Sequence, residues 1–321
     1  MQKVPEISII VCIYNIEKYI QCCLKSIAGQ FFTDFEAILV DDGSTDKSGQ
    51  ICDAFAASDS RFMVIHQENK GLSQARNVGM DAAKGNWIAI IDGDDYLHPG
   101  ALQELHRMAM MGADLSICSY RSVSEDNDSA FEDQAEGTAS VIKTLPLDDF
   151  LSRLCIDLKV IFIWNKLYRR SMISDIRFRD RVGEDRDFNY QVGTRCNPKI
   201  LTTSFKGNAY RNRPSSISRT EAVPFRLRVY QDRCNSYNIY IKDYPSESVR
   251  GRTLKGLMDL MLKIRWGYQG TEWESDAKVS AENMKSMIFR DFLSCKAIPV
   301  KYRIMYPLCY YNRFIYKVLK H

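Results

Sequence analysis

Two acidic turns carry most of the chemistry this sequence offers. One is Val40-Asp41-Asp42-Gly43-Ser44-Thr45-Asp46 and the other is Ile90-Ile91-Asp92-Gly93-Asp94-Asp95-Tyr96. Each directly follows an apolar run that reads as a strand buried on both faces. Asp92, Asp94 and Asp95 fall within four residues and repel one another unless a cation lies among them. A hard divalent ion, Mn2+ or Mg2+, prefers such oxygens and bridges them to phosphate. Asp and Gly also fill ordinary turns, but two such turns at two strand ends favour the metal. GxGxxG and GxxxxGK[ST] are both absent, so a diphosphate would rest on the metal and on basic side chains. Arg76, in Gly71-Leu72-Ser73-Gln74-Ala75-Arg76-Asn77, sits in a helical stretch and faces either that diphosphate or solvent.

The elements that must position these residues alternate. Residues 7–13, 35–40, 62–66, 87–91 and 115–120 read as strands; 16–28, 46–57, 72–83 and 99–111 read as helices, the first with Asn15 as its N-cap. This βαβα order predicts an α/β fold with a mostly parallel sheet flanked by helices. Its ligands would bind beyond the carboxyl ends of the strands, where both acidic turns lie. Residues 122–140 are polar and acidic and read as a surface loop. A mixed region follows, and from about 222 the pattern is helical (222–243, 247–267, 279–294 and 300–319). The expected division is therefore a catalytic domain, 1–221, with halves of about 1–121 and 122–221, followed by a C-terminal helical appendage, 222–321.

The chain has 321 residues, 45% of them hydrophobic, with 44 Lys and Arg against 40 Asp and Glu. The balance is uneven: residues 250–321 hold 14 basic and 6 acidic side chains, which leaves the first 249 residues net acidic. Bulk charge gives no sign of a nucleic-acid partner. Ten cysteines include no CxxC pair, and Cys12, Cys52, Cys118 and Cys155 lie in apolar segments as small hydrophobes. With no signal-like h-region at Met1-Gln2-Lys3-Val4-Pro5 and no apolar stretch of spanning length, a reduced cytoplasmic setting is expected.

Taken in order, Ser8-Ile9-Ile10-Val11-Cys12-Ile13-Tyr14-Asn15, the 40–46 turn, Gly71–Asn77 and Asp92-Gly93-Asp94-Asp95 resemble the successive motifs of family 2 glycosyltransferases, inverting enzymes of the GT-A fold. A weaker likeness continues through Trp164-Asn165-Lys166-Leu167-Tyr168-Arg169-Arg170, Val182-Gly183-Glu184-Asp185-Arg186-Asp187-Phe188 and Tyr210-Arg211-Asn212-Arg213-Pro214-Ser215-Ser216. The resemblance implies a hexosyltransferase-type enzyme moving a sugar from a nucleotide-sugar, most simply a UDP-sugar, to a saccharide or lipid-linked acceptor. Its setting would be exopolysaccharide, capsule or lipopolysaccharide assembly. It implies that Tyr14 packs on the donor base and Asp42 hydrogen-bonds it. Asp92 lies near the ribose or a bound water, Asp94 ligates the metal, and Asp95 either shares that task or holds the turn. Glu184 is acceptor-side, and Asp185 is the general base, with Asp187 its nearest rival.

An inverting transfer needs one carboxylate to take the acceptor hydroxyl's proton, which agrees with that assignment. Acidic residues also suit a helix's first turn. Arg211 and Arg213 either close over the diphosphate or acceptor or belong to a solvated basic loop. His66, His98, His106 and His321 show no ligand spacing. A sugar nucleotidyltransferase and a non-catalytic binding protein on the same fold are the alternatives. The former lacks its phosphate loop here, and the latter would be expected to have lost Asp94 or Asp185. Finally, residues 296–321 combine basic and aromatic residues with no acidic one, which suits either an anionic membrane surface or packing on the catalytic body.

Overall fold

The computed structural model describes residues 4–128, 140–180, 183–213 and 223–320. By contacts the chain forms two compact units, Met1–Leu147 with Phe162–Arg213, and Asp148–Ile161 with Pro214–His321.

The first unit is built on one sheet. Its elements begin β1 (Ile7–Ile13), α1 (Ile20–Ala28), β2 (Phe35–Asp41), α2 (Ser48–Ser58), β3 (Phe62–His66), α3 (Leu72–Ala82), β4 (Trp87–Asp92), β5 (Tyr96–Leu97), α4 (Ala101–Met110), β6 (Leu115–Ser124) and β7 (Ile142–Leu145). The strand order is β3-β2-β1-β4-β8-β6-β9-β5, with β7 also on β9; here β8 is Lys166–Arg169 and β9 is Ile200–Asn212. β1 to β4 are mutually parallel, and β6 and β9 run the same way, so six of the nine described strands share one direction. The α/β expectation holds. All seven residues of β1 are buried because parallel strands covered on both faces need apolar side chains on both. Gly79 in α3 lets that helix lie directly on β1; a Cβ there would collide with Ile10 Cγ2.

Three sequence expectations change. The first helix starts at Ile20, and Asn15 is not its cap: it has a positive φ of 51° and its side chain turns toward residue 45 instead. The stretch from 122 is not all loop, since β6 runs to Ser124 paired with β9; residues 129–139 lie outside the described set. Between β7 and β8, α5 (Leu147–Arg153) and α6 (Leu158–Ile161) belong mostly to the second unit. The division drawn from sequence at 221/222 therefore differs from the contacts. Thr253 Oγ1 donates to the Ser152 carbonyl at 3.2 Å, and Ser246 Oγ to Asp148 at 2.9 Å.

The first unit is completed by α7 (Arg170–Ile173) and α8 (Glu184–Cys196). The second continues with α9 (Val223–Ser236), a π-helical turn (Tyr237–Ile241), α10 (Glu247–Gly267), α11 (Glu274–Ser294), α12 (Val300–Tyr311) and α13 (Arg313–Lys320). Pro307 lies inside α12, and the chain breaks at Asn312 rather than at the proline. No helix among the described residues is long and apolar enough to cross a membrane.

Candidate active site

Strand register assembles the site. Ile13 pairs with Asp41, and Cys12 with Asp92, so the ends of β1, β2 and β4 finish side by side and their turns share one edge. The first two turns are knitted together. Asn15 Oδ1 accepts from Thr45 N at 2.8 Å, Asn15 N donates to Ser44 Oγ at 3.1 Å, and Glu17 N donates to Asp46 at 3.0 Å. Tyr14 stands beside them half exposed. Asp42 is buried, and its carboxylate accepts from Gln67 Nε2 (2.6 Å), Lys70 N (2.9 Å) and Gly71 N (2.9 Å), which ties the start of α3 to the turn. Asp41 accepts from Ser44 N and also meets His66 Nδ1 at 2.9 Å, while the other ring nitrogen meets Asp53 at 3.0 Å.

Arg76 is neither solvent-exposed nor aimed at open space. Only 2% of its side chain is accessible. Nη1 contacts Asp185 at 2.8 Å and Glu184 at 3.2 Å, Nη2 contacts Asp92 at 3.2 Å, and the guanidinium lies over the Phe178 ring. Burial works against its charge, but Asp185, Asp92 and Glu184 outweigh that and hold it above the ordinary arginine value. Asn77 exchanges hydrogen bonds with the Phe178 backbone, and Ser73 donates to the Arg179 carbonyl, so α3 holds the chain leading into α8. Gly183, with φ 80°, supplies the left-handed residue that starts α8 and brings Glu184 and Asp185 to its first turn.

Asp185 is mostly buried, and its carboxyl is raised to about 7. Burial is the main cause; Glu184 and Asp92 add to it, and Arg76 and Lys166 oppose it. Asp187, two residues on, turns away: it is fully buried, accepts from Gln191 at 3.1 Å and lies 3.8 Å from Arg179. Lys166 had no role assigned from sequence. It is a fully buried cation whose Nζ donates to Asn165 Oδ1 at 2.9 Å, and charged lysine is rarely fully buried unless it is paired. Its only signal was a lysine placed among apolar strand residues.

The second acidic turn gathers Asp92, Asp94 and Asp95, with one carboxylate oxygen of each within 4.8 Å of the others. Burial and the neighbouring carboxylates raise the Asp94 carboxyl, and raise Asp95 further. Asp94 is ion-paired to Arg213. Asp95 Oδ1 accepts from Arg211 N at 2.8 Å, while its Oδ2 is buried with no hydrogen-bond partner among the described residues. Arg211 itself is a correction to both sequence readings, since it is neither a solvated loop residue nor free to close. It is buried on β9 and donates to the carbonyls of Asp94 (2.9 Å), Glu125 and Asn127 and to the Asp128 carboxylate (2.7 Å). Ser215, Ser216 and Val182 lie outside the described residues.

The model of glycosyl transferase family 2 matches residues 8–177, which contain both acidic turns and Arg76. Glycosyltransferase GlyG of Streptococcus pneumoniae is 35% identical over 267 residues, 81% of this chain and 85% of GlyG. The chain belongs to glycosyl transferase family 2. EpsH of Bacillus subtilis is 41% identical to this family member over 169 residues, 53% of the chain; the match spans about half of EpsH, 48%. Among solved structures, S. aureus TarS 1–349 in complex with UDP-GlcNAc is similar over 97% of this chain and 88% of its own, with 20% identity and a TM-score of 0.66. The fold of this family 2 member is GT-A.

Proposed function

We propose that the chain transfers a sugar, with inversion, from a UDP-sugar to a hydroxyl of a saccharide or lipid-linked glycan in the assembly of a surface polysaccharide. The observation that carries this reading is Asp185. It is a buried carboxylate at the head of α8, raised to about 7, and linked through Arg76 to Asp92 in the turn after β4. A base poised near neutrality takes a proton from a sugar hydroxyl as that oxygen attacks. The acceptor oxygen bonds to the anomeric carbon, and its proton passes to the Asp185 carboxylate. The bond from that carbon to the phosphate oxygen breaks, and its electron pair leaves on the nucleoside diphosphate. One base and one displacement invert the centre; retention by double displacement would need a nucleophile as well.

The remaining residues bind and orient. Tyr14, 50% exposed, offers a ring to the donor base. Asp42 uses three acceptor positions on backbone and Gln67, and a carboxylate has about four, so one is left for a base N–H. The acidic turn fits a hard divalent ion: its oxygens converge, and Asp95 Oδ2 lacks a partner among the described residues. Asp94 would hold Mn2+ or Mg2+, with Asp92 nearer the ribose or a bound water; when bound, the ion stabilises the charge developing on the diphosphate. The UDP-GlcNAc carried by TarS, on the same fold, supports a uridine donor.

A screen of UDP- and GDP-sugars with Mn2+, read as nucleotide released and as anomeric configuration by NMR, tests this. Turnover of a UDP-sugar with inversion is expected. Turnover of GDP-sugars alone would overturn the donor assignment, and retained configuration would overturn the role of Asp185.

A further inference from the structure

The last two helices present an apolar surface that stands exposed among the described residues. In α12 one face is inside: Tyr306, Cys309 and Tyr310 are buried. There the Tyr306 hydroxyl bonds to Asp259, that of Tyr310 bonds to Glu282 at 2.6 Å, and Trp266 Nε1 donates to the Cys309 carbonyl at 2.9 Å. The partners on this face belong to the helical unit itself, and the face takes in Tyr306 and Tyr310. A second stripe points outward. Val300, Ile304, Leu308 and Tyr311 follow one another at steps of four, four and three, which at about 100° per residue places them within about 80° of one another. Ile304 is 58% and Tyr311 68% exposed. Lys301 and Arg303 flank the stripe on its two sides.

Asn312 then ends α12 and caps α13, its Oδ1 accepting from Phe314 N at 2.9 Å. On α13, Phe314 is 74% exposed and Val318 is also exposed, with Arg313 and Lys317 exposed on another side of the helix. Single exposed apolar residues are ordinary, but exposed apolar residues at helical spacing on two successive helices mark an interface.

We propose that α12 and α13 are a docking face for an anionic lipid bilayer. Residues 296–321 hold six Lys and Arg and no Asp or Glu, so the partner must be anionic. An apolar stripe bordered by cations lies in a lipid interface with its aliphatic side chains inward and its cations at the headgroups. A symmetric pairing of two copies through this face would instead oppose cation to cation. The docking is independent of which donor or acceptor the enzyme uses.

The test is co-sedimentation of the full chain with vesicles of phosphatidylcholine alone and of phosphatidylcholine mixed with phosphatidylglycerol. Binding to the anionic vesicles that weakens with salt is expected. Each cation removed should cost about fivefold in affinity, so Lys301→Glu with Lys317→Glu should lose about 25-fold or more. The triple change Ile304→Ser, Leu308→Ser and Phe314→Ser should abolish binding while leaving the melting temperature of these exposed positions unchanged. No binding to anionic vesicles, or binding that neither set of substitutions alters, overturns the proposal. So does a dimer in light scattering that the triple change dissociates, since a second copy would then be the occupant.

Discussion

Arg76 Nη1 lies 2.8 Å from Asp185 Oδ1, while Nη2 of the same guanidinium lies 3.2 Å from Asp92. One buried cation on α3 thus joins the first turn of α8 to the acidic turn after β4. Three carboxylates around one guanidinium leave the site net negative, ready for a cation arriving with the donor. Removing one partner of a buried ion pair typically costs about 3–5 kcal/mol. Because the carboxylates here are partly accessible, Arg76→Ala should cost toward the lower end, about 3 kcal/mol, read as a fall in the urea midpoint with transfer lost. Arg76→Lys keeps the charge without the fork and should lie between the two.

Asp185→Asn should lower kcat by at least about 100-fold and leave UDP affinity unchanged. In the parent enzyme the base works only when deprotonated, so activity should fall as pH drops through about 7. The folded carboxyl titrates above its unfolded value. Its contribution to stability is therefore complete below the unfolded value and lost as pH rises toward about 7. Asp185→Asn should accordingly melt no lower than the parent at pH above 7. A lower melting temperature would make Asp185 structural.

Arg213 occupies the Asp94 carboxylate that a metal would need. Without nucleotide, Arg213→Ala should bind Mn2+ more tightly than the parent in a calorimetric titration, because a competing cation is gone. Asp94→Asn should instead lose Mn2+ binding together with metal-dependent binding of UDP. Equal Mn2+ affinity in the parent and Arg213→Ala would remove Arg213 as a competitor.

His66 bridges Asp53 and Asp41, and those two carboxylates raise its imidazole above the ordinary histidine value. The stabilisation is fully present below that ordinary value and is lost as pH rises through the folded one. His66→Gln should therefore flatten the decline in stability that begins near the ordinary histidine value, and NMR titration of His66 in the parent should report the raised value directly.

Gly79→Ala forces a methyl against Ile10 on β1. Overpacking at such a contact costs about 1–3 kcal/mol, expected as a lowered urea midpoint with the m-value unchanged. An unaltered midpoint would mean that α3 shifts freely on the sheet, and Arg76 with it.

The parallel strands were legible as short runs rich in apolar residues: Ile7–Ile13, buried along its whole length, and Phe62–His66, an only partly buried strand, were both bounded from residue types alone. β5, β7 and β8 were not, since two to four residues cannot display a period and their pairing depends on β9 and β6, far along the chain. Asn15 misled for a related reason. A residue type that caps helices also tolerates positive φ, and Ser44 and Thr45 in the turn after β2 selected the second use.

Within the candidate site, residue identity indicated which side chains carry charge and at which strand ends they sit. It did not indicate their partners. Asp92, Asp94 and Asp185 could be named from spacing and resemblance. That Arg76 holds Asp92 and Asp185, that Arg211 is buried under the Asp95 turn, and that Asp187 faces away depend on contacts between segments distant in sequence. The same holds for α12, where sequence gave basic, aromatic and aliphatic residues on one helix, and only packing against α10 and α11 decided which face was covered. Local pattern follows from chemistry within a turn or a strand. A charge finds its partner only when the fold brings it close enough for burial and Coulomb attraction to choose.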